Sequence, residues 1–212
     1  MLKLYRDGAG KAAAFREAAT LALLEDTGLP IPGVVAAGLY DGRWGVEMSR
    51  AARPAVAWDA PAIAALHIRI HQVRGKPLPA LKSRLRRDIG NARQLDDALR
   101  SKLLSRLDTL AEGDALCHGD FHPGNIMGSA AAPVVVDWLD AATGPSEADA
   151  CRSYLLFLHH APALAEPYLD AYSTLAGRPR DTILAWLPIV AAARLAEGVH
   201  DEVARLLALA AG

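Results

Sequence analysis

Apolar positions along the chain fall into two regimes that change near residue 50. At the start, Leu2-Lys3-Leu4 alternates apolar with polar and predicts a short strand ending at Tyr5-Arg6. Asp7-Gly8-Ala9-Gly10 reads as a turn. From Lys11 to Glu25 the composition is rich in Ala, Leu and Glu. Phe15, Ala18, Ala19, Ala22 and Leu23 fall at helical spacing there, which predicts a helix with that apolar face. Thr27-Gly28-Leu29-Pro30 supplies its stop signal. Two apolar runs follow, Gly33 to Tyr40 and Trp44 to Met48, and the Asp41-Gly42 between them predicts a β-hairpin.

After Arg50 the period changes. Ala51 to Ala55 reads as a connector, and apolar residues three and four apart predict helices over 59–73, 80–95 and 97–111. Gly, His, Pro and Asn break the rhythm over 113–133. Val134-Val135-Val136 then predicts a short buried strand. Helical patterning returns from Ser146, with interruptions near Pro162, Gly177-Arg178-Pro179 and Gly198. The longest apolar stretch, Ile183 to Ala193, is too short for a membrane span of about 20 residues and predicts one buried core helix. The pattern as a whole is α+β: a small lobe over 1–50 made of strand, helix and hairpin, then a mostly helical lobe over 51–212.

Composition narrows the classes. With 212 residues, 52% hydrophobic, the chain can bury a sizeable core, and disorder is excluded as the main state. The formal net charge of −1 excludes a mainly electrostatic nucleic-acid binder. Cys117 and Cys151 form no CxxC pair and are too few for a disulfide scaffold, which fits a reducing cytoplasm. Met1 to Arg6 carries no apolar signal-peptide region. These features place the protein in the cytoplasm, without a membrane or nucleic-acid partner.

The irregular stretch holds the chemistry. Cys117-His-Gly-Asp-Phe-His-Pro-Gly-Asn-Ile126 contains His118-x-Asp120 and then Asn125; Asp137 closes the apolar run Val134 to Val136. Two carboxylates and an amide oxygen are hard donors, suited to Mg²⁺ and phosphate chemistry rather than to zinc. Phosphoryl transfer needs such a set: one carboxylate to orient the attacking hydroxyl, and an Asp with an Asn for the metal ions on the phosphates.

His118-Gly-Asp-Phe-His-Pro-Gly-Asn125, followed by Val-Val-Val-Asp-Trp138 and Asp140, resembles the signature of the aminoglycoside phosphotransferase and choline kinase family. The resemblance spans nearly the whole chain. It implies a protein-kinase-like fold and transfer of the ATP γ-phosphoryl group to a hydroxyl of a small molecule. It assigns Asp120 as catalytic base or hydroxyl-orienting group, and Asn125 and Asp137 as Mg²⁺ ligands. Leu2-Lys3-Leu4-Tyr5 resembles the strand that carries the phosphate lysine, with Glu17 as the partner of Lys3. Trp44 to Ser49 resembles the strand leading into the adenine hinge, which assigns Met48 and Ser49 to the nucleotide. Asp149 resembles the carboxylate that braces the catalytic loop through backbone N–H groups, and His118 is expected to shape that loop. The family pattern also places two strands and a Gly-rich loop before the lysine strand, and the sequence given has no counterpart of them. That leaves three alternatives: a late start, a naturally reduced lobe, or a catalytically impaired module that binds nucleotide or a partner. An N-terminal sheet edge left uncovered would pair with a second copy as a homodimer.

Other features read plainly. Gly8-Ala9-Gly10-x-x-Ala13 matches a loose dinucleotide fingerprint, but no second βαβ unit follows, so it reads as a turn. His67 and His71, four apart on a predicted helix, read as packed or hydrogen-bonded residues because no third metal ligand is evident. Cys117 reads as a small buried thiol. Asp140, Glu147 and Glu197 are candidates to line a pocket for a cationic substrate, whereas Asp201 and Glu202 read as surface positions.

Overall fold

The computed structural model describes residues 1–6, 10–52, 58–75 and 77–212. Most of the turn over 7–10, with Gly8 and Ala9 of the glycine fingerprint, and most of the connector over 51–55 lie outside the described residues. In chain order the strands and helices are β1 (Leu2–Leu4), α1 (Gly10–Leu24), β2 (Val34–Tyr40), β3 (Arg43–Met48), α2 (Ala60–His71), α3 (Leu81–Asn91), α4 (Asp97–Thr109) and β4 (Ala115–Cys117). They continue with β5 (Ile126–Ser129), β6 (Ala132–Val135), β7 (Ala142–Gly144), α5 (Ser146–His160), α6 (Pro162–Ala176), α7 (Arg180–Leu184), α8 (Leu187–Arg194) and α9 (Val203–Ala211). The chain divides into two compact units, 1–58 with 122–141, and 59–121 with 142–212. Among the described residues no helix is long and apolar enough to cross a membrane.

In the first unit β1, β3 and β2 form an antiparallel sheet in that order, with Lys3 opposite Val46 and Leu39 opposite Trp44. The Asp41-Gly42 hairpin is the turn between β2 and β3, and Asp41 takes the positive φ that such turns require. Helix α1 packs on β3 but with a different face from the one its apolar spacing predicts. Ala14, Glu17, Leu21 and Leu24 are buried, whereas Phe15 and Leu23 are about half exposed, at 47% and 51%. The physical reason is a charge: Glu17 turns inward to meet Lys3, and the helix rotates with it. Phe15 recovers part of its contact by lying against Trp44, with ring centroids 5.7 Å apart. The β5–β6 hairpin completes this unit, tied in by Val135 N–H donating to Pro30 C=O at 2.7 Å.

The second unit is mostly helical. Asp59 caps α2 by accepting from Ala62 N–H at 2.8 Å, and Asp96 caps α4 by accepting from Leu99 N–H at 2.7 Å. Helix α3 stops at Asn91, short of the predicted 95, where Ala92 turns extended. Its terminal carbonyls are taken by the Arg100 guanidinium, which donates to Ile89, Gly90 and Ala92 at 2.7–3.1 Å. The stretch 183–193 is not one core helix. It breaks between α7 and α8, with Pro188 in the first turn of α8, because proline lacks an N–H and clashes with the carbonyl four residues back. Strands β4 and β7 pair antiparallel, with Cys117 opposite Ala142. Tyr154, Phe157, Tyr168, Tyr172 and Trp186 all lie in the buried core.

Gly45 lies where β3 passes closest to β1: a Cβ there would sit 2.7 Å from the Lys3 carbonyl oxygen. Gly45→Ala is expected to lower the unfolding free energy by about 1–3 kcal/mol, the usual cost of overpacking. Urea unfolding measures it, and an unchanged midpoint would contradict the close approach.

Candidate active site

Three of the residues singled out by sequence meet in the first unit. Lys3 Nζ lies 2.8 Å from Glu17 Oε2 and 2.8 Å from Asp137 Oδ1. Strand β1 supplies the ammonium, α1 the buried glutamate, and the second residue after β6 is the aspartate. Glu17 is 1% exposed and also accepts from the Tyr5 hydroxyl. Burial pushes the Glu17 carboxyl above its ordinary range, and the hydrogen bond from Lys3 offsets only part of that. For Lys3 burial acts downward, but hydrogen bonds to Asp137 and Glu17 outweigh it and hold the ammonium above its usual value.

Asp137 has φ +66°, ψ +62°, a left-handed conformation that few residues other than glycine adopt. Its side chain is 41% exposed. Asn125 sits across the base of the β5–β6 hairpin, one step from it: Val136 N–H donates to Asn125 C=O at 2.9 Å. An amide oxygen and a carboxylate thus stand on neighbouring rungs of one hairpin, a donor set that fits a hard divalent cation such as Mg²⁺. Met48 and Ser49 lie at the end of β3. Met48 is buried, and Ser49 Oγ accepts from Gly33 N–H at 2.9 Å.

Asp120 belongs to the second unit, on the turn after β4. Gly119 takes φ +86°, and His118 and Phe121 on either side are fully buried, while the Asp120 side chain stays 31% exposed. His118 Nδ1 accepts from Asp120 N–H at 3.2 Å, so its ring folds back onto the loop. Arg152, on α5, donates to Gly119 C=O at 3.3 Å and reaches within 4.0 Å of Asp120 Oδ1. The same guanidinium pairs with Glu197 at 2.8 Å. No sequence signal marked Arg152; only its position three residues after Asp149 on one helix face hints at it.

The turn hangs on Asp149. Its Oδ2 accepts from His118 N–H at 2.7 Å and its Oδ1 from Gly119 N–H at 2.8 Å. His67 Nε2 and His71 Nε2 also lie on Oδ2, at 3.0 and 3.2 Å. On the far side of each ring, Nδ1 meets a tyrosine hydroxyl at 2.7 Å, Tyr168 for His67 and Tyr172 for His71. Phe121 stacks on His67 with centroids 4.1 Å apart. The histidines are therefore packed and hydrogen-bonded, as expected, although the third ligand-type residue that the sequence did not show is present in Asp149. Burial, reinforced by neighbouring His71, pushes the His67 ring down to about 3. Asp149 is held well below the usual carboxylate range: burial acts upward, and the His67 and His71 hydrogen bonds overcome it.

Three further expectations are answered. Cys117 is buried, and burial pushes its thiol well up, so it offers no thiolate nucleophile. Asp201 is exposed as expected. Glu202 is not: it is 5% exposed, bound through both oxygens to the Arg194 guanidinium. A lone surface glutamate was the simplest reading of position 202, but the buried arginine eight residues earlier draws it inward.

Comparison with known proteins gives this geometry its class. The profile of the phosphotransferase enzyme family matches residues 1–184, and the chain belongs to that family. A search of curated proteins finds no match. Among solved structures, a type VIII aminoglycoside-3'-phosphotransferase is 21% identical over 92% of this chain and 83% of its own, with TM-score 0.68. The choline kinase LicA of Streptococcus pneumoniae is 17% identical over 98% of this chain and 85% of its own, with TM-score 0.63. An aminoglycoside phosphotransferase of Streptomyces rimosus, solved with ADP and streptomycin, is 17% identical over 91% of this chain and 85% of its own, with TM-score 0.63. At these identities the likeness establishes the fold: α+β, of the protein-kinase-like type.

The buried His67 makes stability depend on pH. Its ring stays neutral when folded and takes a proton below about 6.5 when unfolded, so stability falls as pH drops from 6.5 toward 3. Between pH 7 and pH 5 this ring alone is expected to remove about 2 kcal/mol of unfolding free energy. His67→Gln should flatten that dependence in urea titrations at the two pH values; a wild-type slope in the variant would contradict it.

Proposed function

We propose that the protein is an ATP- and Mg²⁺-dependent small-molecule kinase that transfers the γ-phosphoryl group to an acceptor hydroxyl. The observation that carries this reading is the Lys3 ammonium held between the buried Glu17 and Asp137. A lysine so held is oriented to reach the α- and β-phosphates, as phosphoryl transfer requires. Membership of the phosphotransferase enzyme family supports the reaction class, and the ADP complex of the Streptomyces rimosus enzyme supports a nucleotide as donor.

The residues divide the work as follows. Glu17 orients Lys3. Lys3 neutralises charge on the nucleotide. Met48 and Ser49, at the end of β3, receive the adenine. Asn125 and Asp137 would hold Mg²⁺, which supplies charge neutralisation on the phosphates. Asp120 accepts the hydrogen bond of the acceptor hydroxyl, aligns its oxygen on the phosphorus and takes its proton. Arg152 keeps the turn beside Asp120 in place through the Gly119 carbonyl. The streptomycin complex of the Streptomyces rimosus neighbour supports a small molecule as acceptor. A cytoplasmic location fits the two buried free thiols.

Thermal shift with Mg-ATP tests the nucleotide half directly. Nucleotide at 100 times its dissociation constant is expected to stabilise the fold by about 2.7 kcal/mol. That corresponds to about 5–10 °C for a domain of this size. The shift should need Mg²⁺ and vanish in Asp137→Ala. An equal shift in that variant, or none in the wild type, would contradict the reading. A shift without transfer to any acceptor would favour the binding-module alternative.

A further inference from the structure

The polar groups around Asp149 constrain where the protons lie. A carboxylate can only accept, so His67 and His71 must carry their protons on Nε2. On His67, which burial keeps neutral, Nδ1 is then an acceptor and the Tyr168 hydroxyl donates to it; the Tyr172 hydroxyl stands against His71 Nδ1 at the same 2.7 Å. Asp149, His67 and His71 have ligand atoms within 4.8 Å of one another, the spacing of a metal site. With a proton on each Nε2, the ring atoms that face Asp149 are donors to it. So protonated, the cluster works as a hydrogen-bond device.

The device links distant parts of the second unit. His67 and His71 are one turn apart on α2, and Tyr168 and Tyr172 one turn apart on α6. Both pairs are separated by 101 residues, so the two helices run side by side in the same direction here. Among the described residues, two backbone amides of the turn that carries Asp120 and these two histidines donate to Asp149.

We propose that His67 and His71 are positioning residues for Asp120: their Nε2–H groups hold the Asp149 carboxylate in place, and it in turn fixes the His118 and Gly119 amides. The tyrosines set the tautomer that makes this work, as an outer shell does around a ligating histidine. Removing a histidine donor leaves a buried carboxylate under-paired. It then draws a proton or turns away, and the amides it held come loose. This inference rests on the reading of Asp120 as the hydroxyl-orienting group, but its structural part is tested without substrate.

The test pairs His71→Phe, which keeps a ring and removes both nitrogens, with His71→Gln, whose Nε2–H occupies the place of the imidazole donor. Amide hydrogen exchange is followed by NMR. In His71→Phe the His118 and Gly119 amides are expected to exchange at least tenfold faster, with the amides of β3 and α9 unchanged. His71→Gln should restore protection. With Mg-ATP and an accepted substrate, kcat should fall in His71→Phe and recover in His71→Gln, with the KM for ATP unchanged. Wild-type exchange at His118 and Gly119 in His71→Phe would overturn the proposal. If His71→Phe fails to fold, long-range proton–nitrogen spectra of the wild type decide: rings protonated at Nε2 support it, and rings protonated at Nδ1 alone overturn it. Loosened amides in a protein that transfers no phosphate would refute the function and leave the positioning device standing.

Discussion

A charge buried without water must be met by donors on every side, and Asp149 is such a charge. Taking a carboxylate out of water costs several kcal/mol unless hydrogen bonds replace its hydration. Four N–H groups do so here, and they come from α2 and from the turn after β4. Two tyrosines of α6 hold the histidine rings from behind. Moving any of these elements by an ångström would strand either the carboxylate or its donors. The position of the Asp120 turn is therefore fixed by an electrostatic requirement deep in the helical unit and not by its own short sequence.

The first unit repeats the principle on a smaller scale. Glu17 is buried on the inner side of α1, and the Lys3 ammonium and Tyr5 hydroxyl meet it. The pair dictates which face of α1 looks inward, at the expense of leaving Phe15 and Leu23 half in solvent. Asp137 joins the same ammonium from a left-handed backbone conformation. Strain of this kind persists where surrounding contacts over-determine it, and here it lies at the proposed nucleotide and Mg²⁺ site.

The sequence made the chemistry legible and left the packing partly hidden. His118-x-Asp120 and Asn125 stood out because glycine, histidine and proline interrupt a helical rhythm at a fixed spacing. Asp137 stood out at the end of an apolar run, Lys3 and Glu17 were picked out through family resemblance, and the structure brings both carboxylates to 2.8 Å from the Lys3 ammonium. The orientation of α1 was not legible, because hydrophobic periodicity cannot count a buried glutamate as an inward residue. Strands β4, β5 and β7 are three or four residues long, too short to show a period. The spacing of His67 and His71 was visible, but their tyrosine partners lie 101 residues away, and no local pattern links them. The break at Pro188 shows a local rule, the missing N–H, overriding an apolar run that looked continuous.

The most direct measurement is transfer of label from γ-labelled ATP to a panel of hydroxyl-bearing acceptors, including aminoglycosides and choline, by the wild type and by Asp120→Asn. The account predicts a labelled small-molecule product from the wild type. It predicts at least about a hundredfold slower transfer in Asp120→Asn, the scale of a lost general base, with the Mg-ATP thermal shift retained. Equal transfer rates in the two proteins would contradict the placement of the reaction at Asp120.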